Sequence, residues 1–307
     1  MPRMMVSTRG SVLALLAWQW KKVTLFLAVS TGIYYLHHIH GLGALRLPTA
    51  PMGIVGAALG IFVSFRTNSA YDRWWEGRRL WGQLVNASRL FATQALAYLP
   101  AGPDGRPSEE QRALVRRHVA YIHALRCALR DQPILTDEAV QRSLGAEERA
   151  SLEGEPNVGH ALLHRQLVTL GAAASRGELH ELRLTSLDRT VSALLDAQGG
   201  CERIKRTPMP RGYGFIAERL IVIFGCLFPL SMVAEVGVMV IPLNALVSLS
   251  FALISEAGRV LEDPFSMFWN GLPLSSMSTM IEINLRARLG DEGLPAPVAV
   301  SPQGVLM

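Results

Sequence analysis

Residues 48–99 join an apolar segment to a charged one with no proline at the transition. Pro48 to Phe65 carries no charge, and charged residues begin at Arg66. Because no proline falls between Pro51 and Pro100, the pattern predicts one helix about 75 Å long at 1.5 Å per residue. A bilayer core is only about 30 Å thick. We therefore expect this helix to cross a membrane and to continue into an aqueous domain.

The composition favours a membrane region joined to a soluble region. The mean hydropathy is positive, although 18% of the residues are charged. In a soluble protein, the net charge of +5 would suggest nucleic acid. Here the basic residues flank apolar segments, so membrane topology explains them better and no nucleic-acid partner is expected. The three cysteines have no CxxC spacing and are expected to be reduced, structural thiols.

Four apolar segments predict four membrane spans. The first two are Val23 to Leu45 and the segment after Pro48, and the last two are Leu220 to Ala234 and Val236 to Ser255, joined by a turn at Glu235 to Gly237. Basic clusters precede spans one and three and follow spans two and four. These clusters share one side, which the positive-inside rule makes cytoplasmic, as it does both termini.

These spans divide the chain into five predicted parts. Residues 1–22 are expected to form a basic helix near the membrane surface rather than a cleavable signal peptide. The parts are a cytoplasmic N-terminal segment (1–22), transmembrane helices 1 and 2 (23–66), a helical cytoplasmic domain (67–214), transmembrane helices 3 and 4 (215–258), and cytoplasmic C-terminal helices and tail (259–307).

Local signals set the helix ends predicted within the cytoplasmic domain. Ser108 is expected to cap a helix that reaches about Leu129, with acidic residues in its first turn. Two further helices are expected at about 157–176 and 178–198. Gly177 is expected to end the first of these, and Gly199-Gly200 the second.

Two parallel stripes run along the second span. Ala57, Ile61 and Phe65 recur every four residues and so form one near-axial face of a helix. Gly56, Gly60 and Ser64 form a small-residue stripe beside it, which suits close helix packing in lipid. Ordinary packing explains both stripes. The alternative is that the small stripe packs on a neighbouring copy while the apolar stripe faces a pore and gates it by dewetting.

Three motifs resemble those of the bestrophin family in its prokaryotic branch. They are FRTNSAYDRWWEGRRLWGQLVNASR (65–89), GGCERIKRTPMP (199–210) before span three, and LEDPF (261–265) after span four. They occur in the family's order, and the resemblance covers nearly the whole chain. It implies an all-α homopentamer of four-span subunits around one central pore, which places the multi-pass protein in the bacterial inner membrane.

The resemblance also assigns a pore face and a function. It implies passive conduction of inorganic ions, either chloride or another anion or a monovalent cation, through a hydrophobic neck at Ala57, Ile61 and Phe65. Ala57 is smaller than the residue usual in the first ring, so the outer end of the neck is expected to be wider. A second constriction, the cytoplasmic aperture, is expected near Leu182.

Charged residues near the neck have two interpretations. Arg66 and Arg73 could raise the local anion concentration below it. The alternative, which we favour, is that they pair with carboxylates such as Asp72 or Glu76. An edge-on Phe65 ring would favour an anion, because aromatic edges are the positive part of the ring.

No metal or cofactor is expected. Animal members of the family bind calcium partly through an acidic run after the LEDPF position, and residues 266–274 have none. Glu262 and Asp263 are therefore expected to cap a helix or form ion pairs. His37, His38 and His40 lack a carboxylate or cysteine partner, which favours an interfacial cluster over a metal site. Glu256 and Arg259 are expected to pair at the membrane edge.

Other classes of function fit the sequence less well. A secondary carrier would favour broken helices and polar groups at the centre of span two. Residues 100–214 contain no nucleophile–base pairing, phosphate loop or metal-ligand spacing, so an enzyme is not expected. A membrane-anchored interaction scaffold stays open as an alternative.

Overall fold

The computed structural model describes residues 4–5, 17–41, 46–268, 270–300 and 305–306. The described residues confirm the predicted all-α class. Apart from loops and a short 3-10 turn, they add only a two-residue antiparallel pairing of Met4–Met5 with Val305–Leu306. In chain order the elements are β1 (Met4–Met5), α1 (Trp20–His38), α2 (Thr49–Tyr98), α3 (Glu109–Leu129), α4 (Glu138–Ser143), α5 (Ala146–Ala150), α6 (Val158–Ser175), α7 (Glu181–Arg206), α8 (Arg211–Val236), a 3-10 turn (Gly237–Met239), α9 (Val240–Leu261), α10 (Leu274–Leu289) and β2 (Val305–Leu306).

The predicted long helix is confirmed as α2, which is continuous for 50 residues. Pro51 lies in its first turn, where a missing backbone N–H costs no hydrogen bond. The next proline is Pro100, two residues after the helix ends at Tyr98. The absence of proline between them is the physical reason that the apolar and charged halves form one helix.

The chain divides into two compact units. The apolar unit comprises Thr8–Trp74 and Pro208–Glu262, and the charged unit comprises Met1–Ser7, Trp75–Thr207 and Asp263–Met307. The predicted boundaries after residues 66, 214 and 258 differ from these limits by four to eight residues, and the one predicted after residue 22 differs by 15. The assignment of parts of the chain to membrane or cytoplasm stays a prediction.

In the apolar unit, α8 and α9 form an antiparallel hairpin. The ring of Phe224 meets that of Phe251 edge to face, with centroids 5.5 Å apart. Gly237 has φ +56°, a conformation that favours glycine, and it ends α8 where the sequence predicts a turn. The hairpin closes on a core that also contains Phe26, Leu59 and Val63.

A buried asparagine ties three helices of the apolar unit together. Asn244 Nδ2 donates to Ser30 Oγ of α1 at 2.9 Å and to the Gly225 carbonyl of α8 at 3.0 Å. Its Oδ1 accepts from Ser248 Oγ at 3.0 Å. Asn244, Ser30 and Ser248 are fully buried. A satisfied buried polar cluster of this kind fixes one arrangement of α1, α8 and α9.

In the charged unit, side-chain caps begin α3 and α6, and the cap at Ser108 is the one that the sequence predicted. Ser108 and Gln111 form a reciprocal capping box at the start of α3, and Asn157 caps α6 through the backbone N–H of His160. Gly177 has φ +75° and follows the last turn of α6. The polar segment between α3 and α6 contains the two short helices α4 and α5.

The prediction that Gly199-Gly200 ends a helix is wrong, because α7 runs through both glycines to Arg206. A Cβ atom at Gly200 would lie 2.8 and 2.9 Å from the two methyl carbons of Leu80. Glycine at this position therefore permits a close approach of α7 to Leu80 on α2, rather than a helix end. The predicted start at 178 is also early, since α7 begins at Glu181.

Two described stretches are long and apolar enough to cross a membrane, namely Thr49–Tyr98 and Gly212–Leu261. The second contains both helices of the α8–α9 hairpin. Helix α1 is not among these stretches, since its 19 residues include Lys21, Lys22, His37 and His38. Most of the predicted helix at 1–22 lies outside the described residues, as does part of the predicted turn at 41–51.

Candidate functional site

The predicted pore stripe forms an exposed apolar face of α2. Ala57, Ile61 and Phe65 are all exposed, with exposed fractions of 59% for Ile61 and 66% for Phe65. Together with Gly60, Ser64 and Asn68 they line one shallow, open groove. An apolar face of this kind on a single chain requires a cover of lipid or protein.

The other side of the same helical turns packs into the core of the apolar unit. Leu59 and Val63 are buried there. A Cβ atom at Gly56 would lie 3.2 Å from the Phe224 ring, and one at Gly60 would lie 3.5 Å from the Phe251 ring. Two residues of the small-residue stripe therefore accommodate aromatic rings of the same chain. Ser64 is exposed in the groove, and packing on a neighbouring copy stays a prediction.

Arg66, directly after the stripe, is a buried structural residue. It is 5% exposed, and its Nη2 lies 2.6 Å from Glu262 Oε1. Its Nη1 donates to Ser255 Oγ at 2.9 Å. Arg73 Nε donates to the backbone carbonyl of Glu262 at 2.7 Å. The expectation that Arg66 is a structural ion pair is confirmed, but its carboxylate is Glu262.

The carboxylates named in the sequence prediction have other surroundings. Glu76 pairs with Arg203 at 2.7 Å, rather than with either arginine of the neck region. Asp72 is exposed, and no hydrogen bond or ion pair of its side chain is recorded among the described residues. Sequence reasoning missed Glu262 as the partner of Arg66, because the two are 196 residues apart and no local spacing links them.

Leu182, the predicted aperture residue, is the second residue of α7 in the charged unit. It is 76% exposed, and its backbone N–H donates to the ring of the capping residue His180 at 3.2 Å. Like Ile61 and Phe65, Leu182 is a large apolar side chain that its own chain leaves exposed. Its role as an aperture stays a prediction.

A comparison with models of protein families identifies the family of this chain. The family model described as "Bestrophin_2: Bacterial/Fungal Bestrophin protein" matches residues 1–287. The chain belongs to the bestrophin family. The resemblance seen in its three motifs is thereby confirmed.

Relatives and solved structures agree with this assignment. The chain is 30% identical over 305 residues to the voltage-dependent anion channel-forming protein YneE of Salmonella typhi, with 96% of this chain and 93% of the relative covered. It is 32% identical over 298 residues to the voltage-dependent anion channel-forming protein RSc3414 of Ralstonia nicotianae, covering 95% and 93%. A bacterial bestrophin homologue from Klebsiella pneumoniae superposes with a TM-score of 0.79 at 27% identity, covering 88% of this chain and 98% of that one. This bestrophin is accordingly an ion-channel protein of the membrane and not an enzyme.

The three bestrophin motifs meet in the charged unit. Leu80 of the first motif contacts Gly200 of the second. A Cβ atom at Gly77 of the first would lie 3.1 to 3.3 Å from Pro264 and Phe265 of the third, and Phe265 is fully buried. Lys205 of the second lies 3.4 Å from Asp263 of the third. The three motifs are far apart in the sequence, and they pack together around the charged half of α2.

The structure also places the acidic residues of the third motif. Asp263 Oδ1 accepts from the Phe265 backbone N–H at 3.1 Å, and its Oδ2 faces Lys205. Glu262 pairs with Arg66, as described above. Of the two roles expected from the sequence, capping a helix or forming ion pairs, both residues thus show the second. Glu256 likewise pairs with Arg259, with Nε to carboxylate oxygen distances of 2.9 and 3.0 Å.

The remaining candidate ligands form no obvious metal centre. His37 Nδ1 and His38 Nδ1 are 3.3 Å apart, and His40 lies edge-on to Tyr35. Among the described residues, no group of three or more histidine, cysteine or acidic side chains could hold a metal ion. The three cysteines are free thiols, and burial raises the pKa of Cys127 to about 11 and that of Cys201 to about 12.

Sequence reasoning missed a buried polar network in the charged unit. His123 Nε2 of α3 lies 3.0 Å from Glu282 Oε2 of α10, and both side chains are almost fully buried. Glu282 Oε1 also faces Arg286 at 3.2 Å. Although burial raises the pKa of Glu282, the hydrogen bond and charge of His123 and the contact with Arg286 lower it below its ordinary value. The network joins α3 to α10.

Proposed function

We propose that this bestrophin is a homopentameric channel that passively conducts monovalent ions across the cell membrane. In this proposal, five copies of Ala57, Ile61 and Phe65 form a hydrophobic neck around a central pore. The exposure of Ile61 and Phe65, on a helix whose other side packs into its own core, is the observation that carries the proposal. The relatives named as voltage-dependent anion channel-forming proteins support it.

The proposed topology has four spans with both termini in the cytoplasm. The α8–α9 hairpin would provide spans three and four, and α2 would provide the pore-lining span. Helix α1 would provide the first span, with Lys21 and Lys22 at its cytoplasmic end. Leu182 would form the second constriction, at the cytoplasmic exit.

The neck would gate by wetting and dewetting. A narrow apolar ring holds no groups that replace the hydration shell of an ion, so an ion passes only when the ring widens or fills with water. Phe65 and Ile61 would set the narrowest diameter. Ala57, which is smaller, would leave the outer ring wider. An apolar ring has no charged group that could pair with an ion, so charge pairing in the neck cannot separate anions from cations.

Recording from purified protein in planar bilayers tests the proposal. Shortening either neck side chain, in Ile61→Ala or Phe65→Ala, is expected to raise the open probability or the unitary conductance, because it widens and hydrates the ring. Ile223→Ala is the matched control, since Ile223 is an exposed aliphatic residue of α8 (53% exposed) outside the stripe. Leu182→Ala reports separately on the second constriction.

The same recordings distinguish the alternatives. Absence of current from the parent protein and from both neck variants would refute the channel function. A flux that saturates with substrate and depends on a second ion would favour a secondary carrier. Unchanged conductance in Ile61→Ala and Phe65→Ala, with current present, would refute the assignment of the neck.

A further inference from the structure

We propose that Asp72 is a charge-selecting residue of the pore, which favours monovalent cations over anions just inside the neck. This inference rests on the proposed function, because it requires the exposed face of α2 to line the pore. It concerns the sign of the ion, which the apolar neck leaves undetermined. It also runs against the anion-conducting role that the names of the relatives state.

The position of Asp72 on the helix carries the first step. Asp72 follows Phe65 by seven residues, which on a helix with 100° per residue brings it back to within about 20° of the same face. Asn68, one turn earlier, already lines the groove of the stripe. Asp72 is exposed like the stripe residues. It is therefore the first charged side chain on the stripe's face beyond the neck.

The second step is the charge balance around it. Arg66, the basic residue nearest to Phe65, is 5% exposed and paired with Glu262, so its charge is not presented to the pore. Arg73 Nε is directed to the backbone of Glu262. No ion pair of Asp72 is recorded among the described residues. Asp72 is thus the exposed charged residue of this turn, whereas Arg73 is half-buried and its Nε faces Glu262.

The third step is distance. Asp72 lies about 10.5 Å from Phe65 along the helix, at 1.5 Å per residue. The next charged residue on the stripe's face without a recorded ion pair in the described chain is Arg79, about 21 Å from Phe65 by the same rise. The screening length at physiological salt is about 8 Å. The Asp72 carboxylate therefore contributes more than the Arg79 guanidinium to the potential at the inner end of the neck.

A fivefold ring makes this charge effective. Five carboxylates around a narrow water-filled passage raise the local concentration of cations and lower that of anions. Because both effects change the permeability ratio in the same direction, we expect removal of the charge to lower the cation-to-anion permeability ratio by roughly threefold to tenfold at 0.15 M salt.

Reversal potentials under asymmetric potassium chloride test the proposal. The parent protein is expected to prefer potassium, Asp72→Asn to lose most of that preference, and Asp72→Glu to keep it. Asp104→Asn is the matched control, since Asp104 is an exposed loop aspartate whose carboxylate is 60% exposed. A second readout needs only the parent protein. Its preference should weaken as salt rises to 1 M, where the screening length is about 3 Å.

The outcomes separate this inference from the proposed function. Current in the parent protein with a preference for chloride would overturn the role of Asp72 while leaving the channel function intact. An unchanged reversal potential in Asp72→Asn would do the same. Absence of current in the parent protein would overturn both. A shift in Asp72→Asn alone, with Asp72→Glu and Asp104→Asn unchanged, is the result we expect.

Discussion

Replacement of Gly225 by alanine tests whether helix packing in the apolar unit depends on one close approach. A Cβ atom at Gly225 of α8 would overlap Cε1 of Phe26 and lie 2.7 Å from Cδ1 of the same ring. It would also lie 2.8 Å from Ser248 Oγ of α9. Carbon atoms pack best at about 3.5–4.0 Å. Phe26 and Ser248 are fully buried, so a shift of either side chain would disturb the surrounding core.

The expected cost is the balance of three effects. Forcing an extra methyl group into a packed core costs about 1–3 kcal/mol, and the overlap with the fully buried ring of Phe26 places this case at the upper end. Any shift of α8 also strains the hydrogen bond from Asn244 to the Gly225 carbonyl, which contributes about 1 kcal/mol. Against these, alanine in a helix is favoured over glycine by about 1 kcal/mol. The balance is a loss of about 2–3 kcal/mol.

Thermal unfolding of the detergent-solubilised protein measures this loss. The six tryptophans provide an intrinsic fluorescence signal. At about 2–4 °C per kcal/mol for a domain of 150–250 residues, Gly225→Ala should lower Tm by several degrees. Gly212→Ala is the matched control, because Gly212 is also in α8 and a Cβ there would meet no atom within 4 Å. Equal Tm values for the two variants would refute the packing argument.

Two further predictions concern buried charge. Glu262→Gln should destabilise the protein by about 2 kcal/mol, which is less than the 3–5 kcal/mol of a fully buried pair because the Glu262 side chain is 31% exposed. Glu235→Gln is the control, because Glu235 is exposed and has no recorded partner in the described chain, and it should leave Tm unchanged. Equal losses of stability in the two variants would contradict the role of the Arg66 pair. Burial lowers the pKa of His118 to about 4, so the neutral form is native and stability should fall by up to about 3 kcal/mol as pH falls from 6.5 to 4. His118→Gln should flatten this part of the profile of Tm against pH, whereas His160→Gln, at an exposed histidine, should not; an unchanged profile in His118→Gln would assign the acid loss to other groups.

Local features predicted the elements of the fold well. The length of α2 followed from the absence of proline between Pro51 and Pro100, and the start of α3 followed from Ser108. The stripe of Ala57, Ile61 and Phe65 followed from a spacing of four residues, and the structure leaves all three exposed. These features depend on neighbours along the chain, so the sequence contains their physical causes directly.

Predictions that depended on distant contacts were less accurate. The Gly199-Gly200 pair has the local signature of a helix end, but Leu80 on another helix makes it a point of close packing instead. Asp72 and Glu76 were expected to partner Arg66 because they lie within ten residues of it, but Glu262 does so. The sequence left open whether the small stripe packs within its own chain or on a second copy, and Gly56 and Gly60 face Phe224 and Phe251 of the same chain.

The sequence by itself determined that α2 joins an apolar half to a charged half and carries an apolar stripe, because helix continuity and helical period are properties of adjacent residues. Only the tertiary structure decided which charged side chains near that stripe are buried and paired. Glu262 is brought to Arg66 by folding over 196 residues, and this contact removes a positive charge while leaving Asp72 exposed. Which charged side chains stay exposed beside the stripe therefore depends on the packing of distant segments, because a contact of this kind has no local signal in the sequence.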